Sequence, residues 1–331
     1  MLYFCTLFNS NYAAKGLAMY WSLKKVCPAF RLFVFAFDDI IADALNRMQF
    51  PEVTVVTLNE LEDEELLQVK PTRSVGEYCW TCTSSTILYC LSHYDIDHCT
   101  YLDADLYFYS NPQVLIDEMG NADVLITPHF YSKENDSTAN VGKYCVQFLT
   151  FKNNDNALTI LRDWRNECLE WCYNRWEDGK CGDQKYLDKW PSTYQRVCET
   201  THLGGGVAPW NQQRYLFYSK QKSPWIHDTY TNSDCPVIFF HFHYLFTHRE
   251  WVINEFSFDT YQMRLDCVQL LYLPYLKVLR KAYLVCKKCN PEINGLFVDE
   301  EEISWPNYLR KAISRVRHHD YTHKKWICLK N

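Results

Sequence analysis

The chain has 331 residues, of which 47% are hydrophobic and 22% charged, with a formal net charge of −6. This length and balance support a packed core and exclude a disordered, collagen-like or coiled-coil protein. Aromatic residues are abundant at 16%, and three of only 10 glycines are adjacent, at Gly204, Gly205 and Gly206.

In chain order, Leu2–Phe8 and Leu32–Phe37 are apolar runs, each followed by polar residues, with a helical pattern over Ala13–Val26 between them. This is a β-α-β unit, the opening of an α/β sheet. Val53–Leu58 predicts a third strand and Glu77–Leu91 a helix. Cys99–Leu102 predicts a short strand running into Asp103-Ala104-Asp105. Asp123–Thr127 and Val146–Phe151 predict further strands, and Asp155–Trp176 a long helix. Val237–Tyr244 predicts a late strand, and the pattern is helical from Thr260 to Cys289. The expected plan is one α/β domain over residues 1–250 and a helical segment over 251–331. The sixteen cysteines read mostly as small buried hydrophobes. The pairs Cys79–Cys82 and Cys286–Cys289 have local zinc spacing but stand far apart in the chain.

Four places carry candidate chemistry. Asp103 and Asp105 alternate in extended backbone at the carboxyl end of a strand, so both side chains can converge on one divalent ion. His241 and His243 share a face of the late strand, and a neutral imidazole suits the same ion. Gly182 permits a turn ahead of Asp183 and Gln184, where Asp183 reads either as a helix cap or as a ligand-facing carboxylate. His202–Asn211 holds the three glycines, and Trp210 beside Asn211 is suited to a sugar face or to loop packing. Neither a dinucleotide-binding glycine fingerprint nor a P-loop is present.

Taken in order, the β-α-β start, Tyr101-Leu102-Asp103-Ala104-Asp105-Leu106, Gly182-Asp183-Gln184-Lys185-Tyr186-Leu187, Trp210-Asn211 and His241-Phe242-His243 resemble a nucleotide-sugar glycosyltransferase of the GT-A fold. The likeness is to the retaining galactosyl- and glucosyltransferases of glycosyltransferase family 8 and related bacterial polysaccharide enzymes, over residues 1–250. It implies a Rossmann-like open mixed sheet flanked by helices. It also implies that Asp103, Ala104 and Asp105 hold Mn2+ (or Mg2+) and the donor diphosphate, with His241 on the same metal. Asp183 and Gln184 would be the catalytic pair beside the transferred sugar. Phe8, Asn9, Asn11, Tyr12 and Asp38 would surround the nucleoside, and Trp210, Asn211 and His243 the sugar or acceptor.

There are departures from that pattern. Gln147, in Tyr144-Cys145-Val146-Gln147, replaces a small-residue motif and is expected to take over its donor contacts. The usual late Gly and Lys-Pro-Trp are missing after His241, leaving His248 or Arg249 as the cation for the diphosphate. The helix before Asp103 lacks the expected basic residue, and Arg73 is the nearest substitute.

The implied activity is transfer of a hexose from UDP-Gal or UDP-Glc to a saccharide or lipid-linked acceptor of a surface polysaccharide or lipopolysaccharide, with retention. A nucleotidyltransferase acting on sugar phosphates is the alternative enzyme, although Asn9-Ser10-Asn11-Tyr12 is no glycine-rich phosphate loop. A non-enzymatic carbohydrate-binding module is the alternative without chemistry, suggested by the aromatic surplus. The start of the chain shows no leader pattern and no apolar run is long enough to span a bilayer, so the expectation is cytoplasmic. Ile303–Asn331 carries seven Lys or Arg against Asp320, a net +6 that leaves −12 on the first 302 residues. Basic residues interleaved with Trp305, Tyr308, Tyr321 and Trp326 suit peripheral docking on an anionic membrane surface; the plainer reading is a solvated helix face. The acidic body argues against nucleic-acid binding.

Overall fold

A computed structural model describes residues 1–247, 251–253, 261–295, 297 and 326–327. The first unit is β1 (Leu2–Phe8), α1 (Ala13–Val26), β2 (Phe30–Ala36), α2 (Asp39–Met48) and β3 (Val53–Thr57), with β1, β2 and β3 parallel and in register from Leu2 opposite Phe30. Two short helices, α3 (Leu58–Leu61) and α4 (Glu64–Val69), lead into α5 (Val75–His93). Ser74 and Glu77 form a reciprocal cap that sets the start of α5. Then come β4 (His98–Leu102), β5 (Leu106–Phe108), α6 (Gln113–Asp117), β6 (Val124–Pro128), β7 (Tyr144–Lys152), α7 (Asp155–Glu170), α8 (Trp190–Thr193) and β8 (Val197–Glu199).

These strands form a seven-stranded sheet in the order β3-β2-β1-β4-β7-β6-β8. β4 is parallel to β1, whereas β7 is antiparallel to both β4 and β6. Alternate residues of β1 enter two different cores: Phe4 and Phe8 lie with α1 and α2, Cys5 and Leu7 with α5 and α7. Helices on both faces explain why this strand reads as one continuous apolar run.

Three expectations need revision. α7 ends at Glu170, not Trp176, because Trp171 is extended and Trp171 and Cys172 are buried as loop residues. The run Val237–Tyr244 is a strand only over β12 (Phe239–His241), which pairs with β5; its apolar flanks are buried without belonging to the ladder. A three-stranded antiparallel sheet, β9 (Tyr215–Lys220), β10 (Ser223–Asp228) and β11 (Ser233–Pro236), had no counterpart in the sequence reading.

The glycine triplet is a close-packing device. A Cβ on Gly204 would lie 2.0 Å from the Pro236 carbonyl oxygen, and one on Gly205 would lie 2.5 Å from the Leu115 side chain. The Gly204 carbonyl instead accepts the Ile238 N–H at 2.9 Å, holding the approach to β12.

Further along, α9 (Leu265–Cys267) passes through a π-helical turn at Val268–Tyr272 into α10 (Leu273–Cys289). α10 packs on α1, and its Tyr275, Leu276, Leu279 and Ala282 share one core with Leu17 and Tyr20. Val252–Ile253 (β13) pairs antiparallel with Trp326–Ile327 (β14). The rest of the basic tail lies outside the described residues. No helix among the described residues is long and apolar enough to cross a membrane.

Candidate active site

β4 stops at Leu102, and the Asp103 N–H donates to the Gln147 carbonyl at 3.1 Å while the Leu106 N–H donates to the Asp103 carbonyl at 3.3 Å. This tight reversal into β5 presents both carboxylates at the carboxyl end of the sheet's central strand. The antiparallel pairing of β12 with β5 sets His241 opposite Leu106, and the Phe242 N–H fixes the Asp105 carbonyl at 3.0 Å. His241 Nε2 therefore lies 3.0 Å from Asp105 Oδ1 and 3.6 Å from Asp103 Oδ2.

His241 Nδ1 lies 2.7 Å from Gln147 Oε1, an acceptor, so this nitrogen carries the proton and Nε2 faces the acids. Gln147 is thus an anchor for His241. Its buried Nε2 has no hydrogen-bond partner among the described residues. Cys145, from the same strand, brings its Sγ within 4.8 Å of ligand atoms of Asp103 and His241.

A cation missed by the sequence reading completes the cluster. Lys15, buried in α1, puts Nζ 3.5 Å from Asp105 Oδ2 and 4.6 Å from the centre of the Tyr12 ring. Its signal in the sequence is weak: one Lys in the otherwise small and apolar run Ala13–Trp21. Arg73, the basic residue nearest to the helix before Asp103, stacks on the Tyr173 ring at 4.0 Å and donates to the Leu169 carbonyl.

The charges interact strongly. Burial raises the Asp103 carboxyl to about 6, with His241 opposing and Asp105 adding to the rise. Burial also disfavours charge on Asp105, but His241 and Lys15 outweigh it and hold that carboxyl below the usual range. Burial opposes the imidazolium of His241, yet Asp105 draws its pKa upward. His243 is pushed down to about 3 by burial and by His241. Ligand atoms of Asp103, Cys145 and His241 lie within 4.8 Å of one another and could hold a metal ion, while Asp105 adds a carboxylate oxygen 3.0 Å from His241 Nε2. The carboxylate and imidazole donors suit Mn2+ or Mg2+. Cys145 adds a softer donor beside them.

Asp103 and His241 open onto a cavity of about 510 Å3 that also bears Asp183, Gln184, Trp210 and His243. Gly182 turns the chain there at φ +54°, and its N–H is held by the Tyr173 carbonyl. Asp183 caps nothing: the short helix Lys185–Lys189 starts after Gln184. Trp164 Nε1 fixes the Asp183 carbonyl at 2.9 Å. Burial first and the Asp103 charge second push the Asp183 carboxyl up to about 8.

The remaining expected residues divide. Trp210 lines the cavity, with Nε1 donating to the His129 carbonyl at 2.8 Å. Asn211 is fully buried: Oδ1 accepts from Ala208, and Nδ2 donates to the His129 and Gly206 carbonyls, so its amide holds its own loop. Asp38 receives the Ser10 and Ile41 N–H groups, both at 2.8 Å, tying the β1–α1 turn to α2. Asn9 accepts from the Asn11 N–H, and the Phe8 ring is buried against Gly16. Asn11 joins Lys15 at a separate gap of about 20 Å3. His248 and Arg249 lie outside the described residues. Neither CxxC pair forms a metal-competent cluster among the described residues; Cys5, Cys90 and Cys99 do, inside the core.

No protein-family model matches the sequence. Two proteins of Bacillus subtilis (strain 168), both described only as uncharacterized, align over most of the chain. YfnD is 27% identical over 314 residues, covering 93% of this chain and 98% of its own. YfnF is 28% identical over 300 residues, covering 88% and 96%. Among solved structures, the galactosyltransferase LgtC in complex with donor and acceptor sugar analogues superposes with a TM-score of 0.51 at 13% identity, over 85% of this chain and 96% of LgtC. An active-site mutant of LgtC gives 0.51 at 14%, over 92% and 99%. The chain shares with these structures a mixed α/β Rossmann-like sheet with a flanking helical C-terminal segment, the architecture of GT-A-type glycosyltransferases.

Proposed function

We propose that the protein is a metal-dependent glycosyltransferase that moves a hexose from a nucleoside-diphosphate sugar, UDP-Gal or UDP-Glc, to a saccharide acceptor with retention. The observation that carries this reading is the meeting of Asp103 and Asp105 at His241 Nε2, 3.6 and 3.0 Å away, beside a cavity that also holds Asp183 and Gln184. Its size suits a sugar rather than a macromolecule. The fold of LgtC, a galactosyltransferase solved with donor and acceptor sugar analogues, supports the same class.

Sugar transfer is limited by departure of the diphosphate as positive charge grows at the anomeric carbon. Asp103, Asp105 and His241 would hold a divalent cation, whose charge would stabilise that leaving group. Gln147 keeps His241 in the tautomer that presents Nε2. Asp183 and Gln184 would orient the hexose, and Asp183, once a cation on Asp103 relieves the repulsion that keeps it protonated, would stabilise the developing positive charge as a carboxylate. Trp210 and His243 offer ring surface to the sugar or acceptor. The acceptor would be a saccharide or lipid-linked saccharide of a surface polysaccharide or lipopolysaccharide. The basic tail would dock the protein on the inner face of an anionic membrane.

Incubation with Mn2+ and a panel of nucleotide sugars, followed by mass spectrometry of released nucleotide, tests the reading. One UDP-hexose should release UDP in a metal-dependent way, and Asp105→Asn should lower that rate by about 100-fold or more. Undiminished release by this variant sinks the site assignment. Absence of both release and binding across the panel would favour a sugar-binding module.

A further inference from the structure

We infer that Lys15 makes metal and nucleoside diphosphate bind as a coupled pair: its ammonium resists a lone divalent cation and rewards the cation that arrives with a diphosphate. This rests on the glycosyltransferase reading above and goes beyond it, because it gives a role to a residue outside the carboxylate and histidine motifs.

The geometry carries the argument. Asp105 stands between two environments. Its Oδ1 meets His241, which lines the large cavity, and its Oδ2 meets Lys15, which lines the small gap with Asn11 and Trp251. Among the described residues, Asp105 is the only charged partner of the Lys15 side chain, which is 8% exposed. Oδ2 of Asp105 thus already faces the Lys15 ammonium, so an incoming divalent ion must approach a carboxylate that this cation has partly neutralised. Like charges at this spacing repel appreciably in a site largely shielded from water.

A diphosphate reverses the sign. It brings more negative charge than the metal neutralises, and Lys15 is then a favourable neighbour to the anion as well as to Asp105. Lys suits this task as a compact charge on a flexible stem that can turn from one oxygen to another. Such coupling is reciprocal, so metal must strengthen nucleotide binding by the factor by which nucleotide strengthens metal binding. Lys15 is therefore a positioning residue, acting through the charge of Asp105 and the diphosphate.

Calorimetric titration of the full chain with Mn2+ alone, with UDP alone, and with UDP at saturating Mn2+ tests this directly. In Lys15→Met, Mn2+ alone should bind about tenfold tighter, UDP at saturating Mn2+ about tenfold weaker, and the coupling factor should shrink accordingly. Lys15→Arg, which keeps the charge, should retain the coupling. Lys15→Gln repeats the measurement if the Met variant fails to fold. Unchanged Mn2+ affinity and unchanged coupling in the neutral variants overturn the inference while leaving the glycosyltransferase reading standing. A wild-type protein that binds no UDP with Mn2+ present defeats both.

Discussion

Asp103, Asp105, His241 and Asp183 form a set of groups whose protonation depends on one another. With Asp103 raised to about 6 and Asp183 to about 8, a neutral solution leaves Asp103 largely ionised and Asp183 largely protonated. A cation on Asp103 removes the repulsion that helps keep Asp183 neutral, and it displaces any proton on His241 Nε2. Metal uptake at pH 7 should therefore release protons. Calorimetric heats of Mn2+ binding should differ between PIPES and Tris in proportion to the buffers' ionisation enthalpies, and equal heats would contradict this coupling. The carboxylates and histidines were legible in the sequence as close pairs of ligand-type side chains, although Asp103–Asp105 prove to be a turn, closed by the Leu106 N–H on the Asp103 carbonyl, rather than alternating extended backbone. Lys15 and Cys145 were not, because a single Lys in a helix reads as a solvent-facing residue and a Cys in a strand as core. The role of Asp183 was ambiguous between cap and cavity until the helix start was located after Gln184.

At the scale of elements, the β-α-β opening was readable because buried parallel strands are continuous in hydrophobicity. The β9–β10 hairpin was hidden by its turn: Gln221 and Lys222 occupy the left-handed region at φ 52° and 65°, where Asn or Gly would have announced it. β7 also conceals something. Leu125 pairs with Thr150 but Thr127 with Cys145, so β7 uses five residues where β6 uses two. That irregularity spans Gln147, and an apolar strand pattern gives no hint of it. The glycine triplet was noticed but its use was not. Gly204→Ala should destabilise the protein by about 3 kcal/mol or more, since the obstructing Pro236 oxygen is backbone and cannot swing aside. Gly205→Ala should cost less, because the Leu115 side chain can change rotamer. Paired thermal melts check the order, and equal losses would contradict it.

The whole molecule should be sensitive to acid. Burial holds His129 down to about 3: its ring stacks on Tyr131 and meets Trp210 edge-on, while its carbonyl accepts from Trp210 and Asn211. An unfolded His takes up a proton near 6.5, so below that pH the unfolded state gains protons that the native state refuses. Stability should fall by about 1.4 kcal/mol per pH unit from this residue alone between about pH 6.5 and 3. Melting temperatures from pH 7.5 to 4.5 should decline, with a shallower slope in His129→Gln; parallel slopes would refute the assignment. The packing of α10 on α1 also bears on how the chain is made. α1 is complete at Val26, but its cover begins only at Leu273. At ordinary rates of synthesis, the ribosome needs on the order of 12–50 s to make the intervening stretch of about 250 residues. For that interval the helix bearing Lys15 has its outer apolar side open on a nascent chain, so the charge at the heart of the site reaches its final surroundings among the last events of biosynthesis.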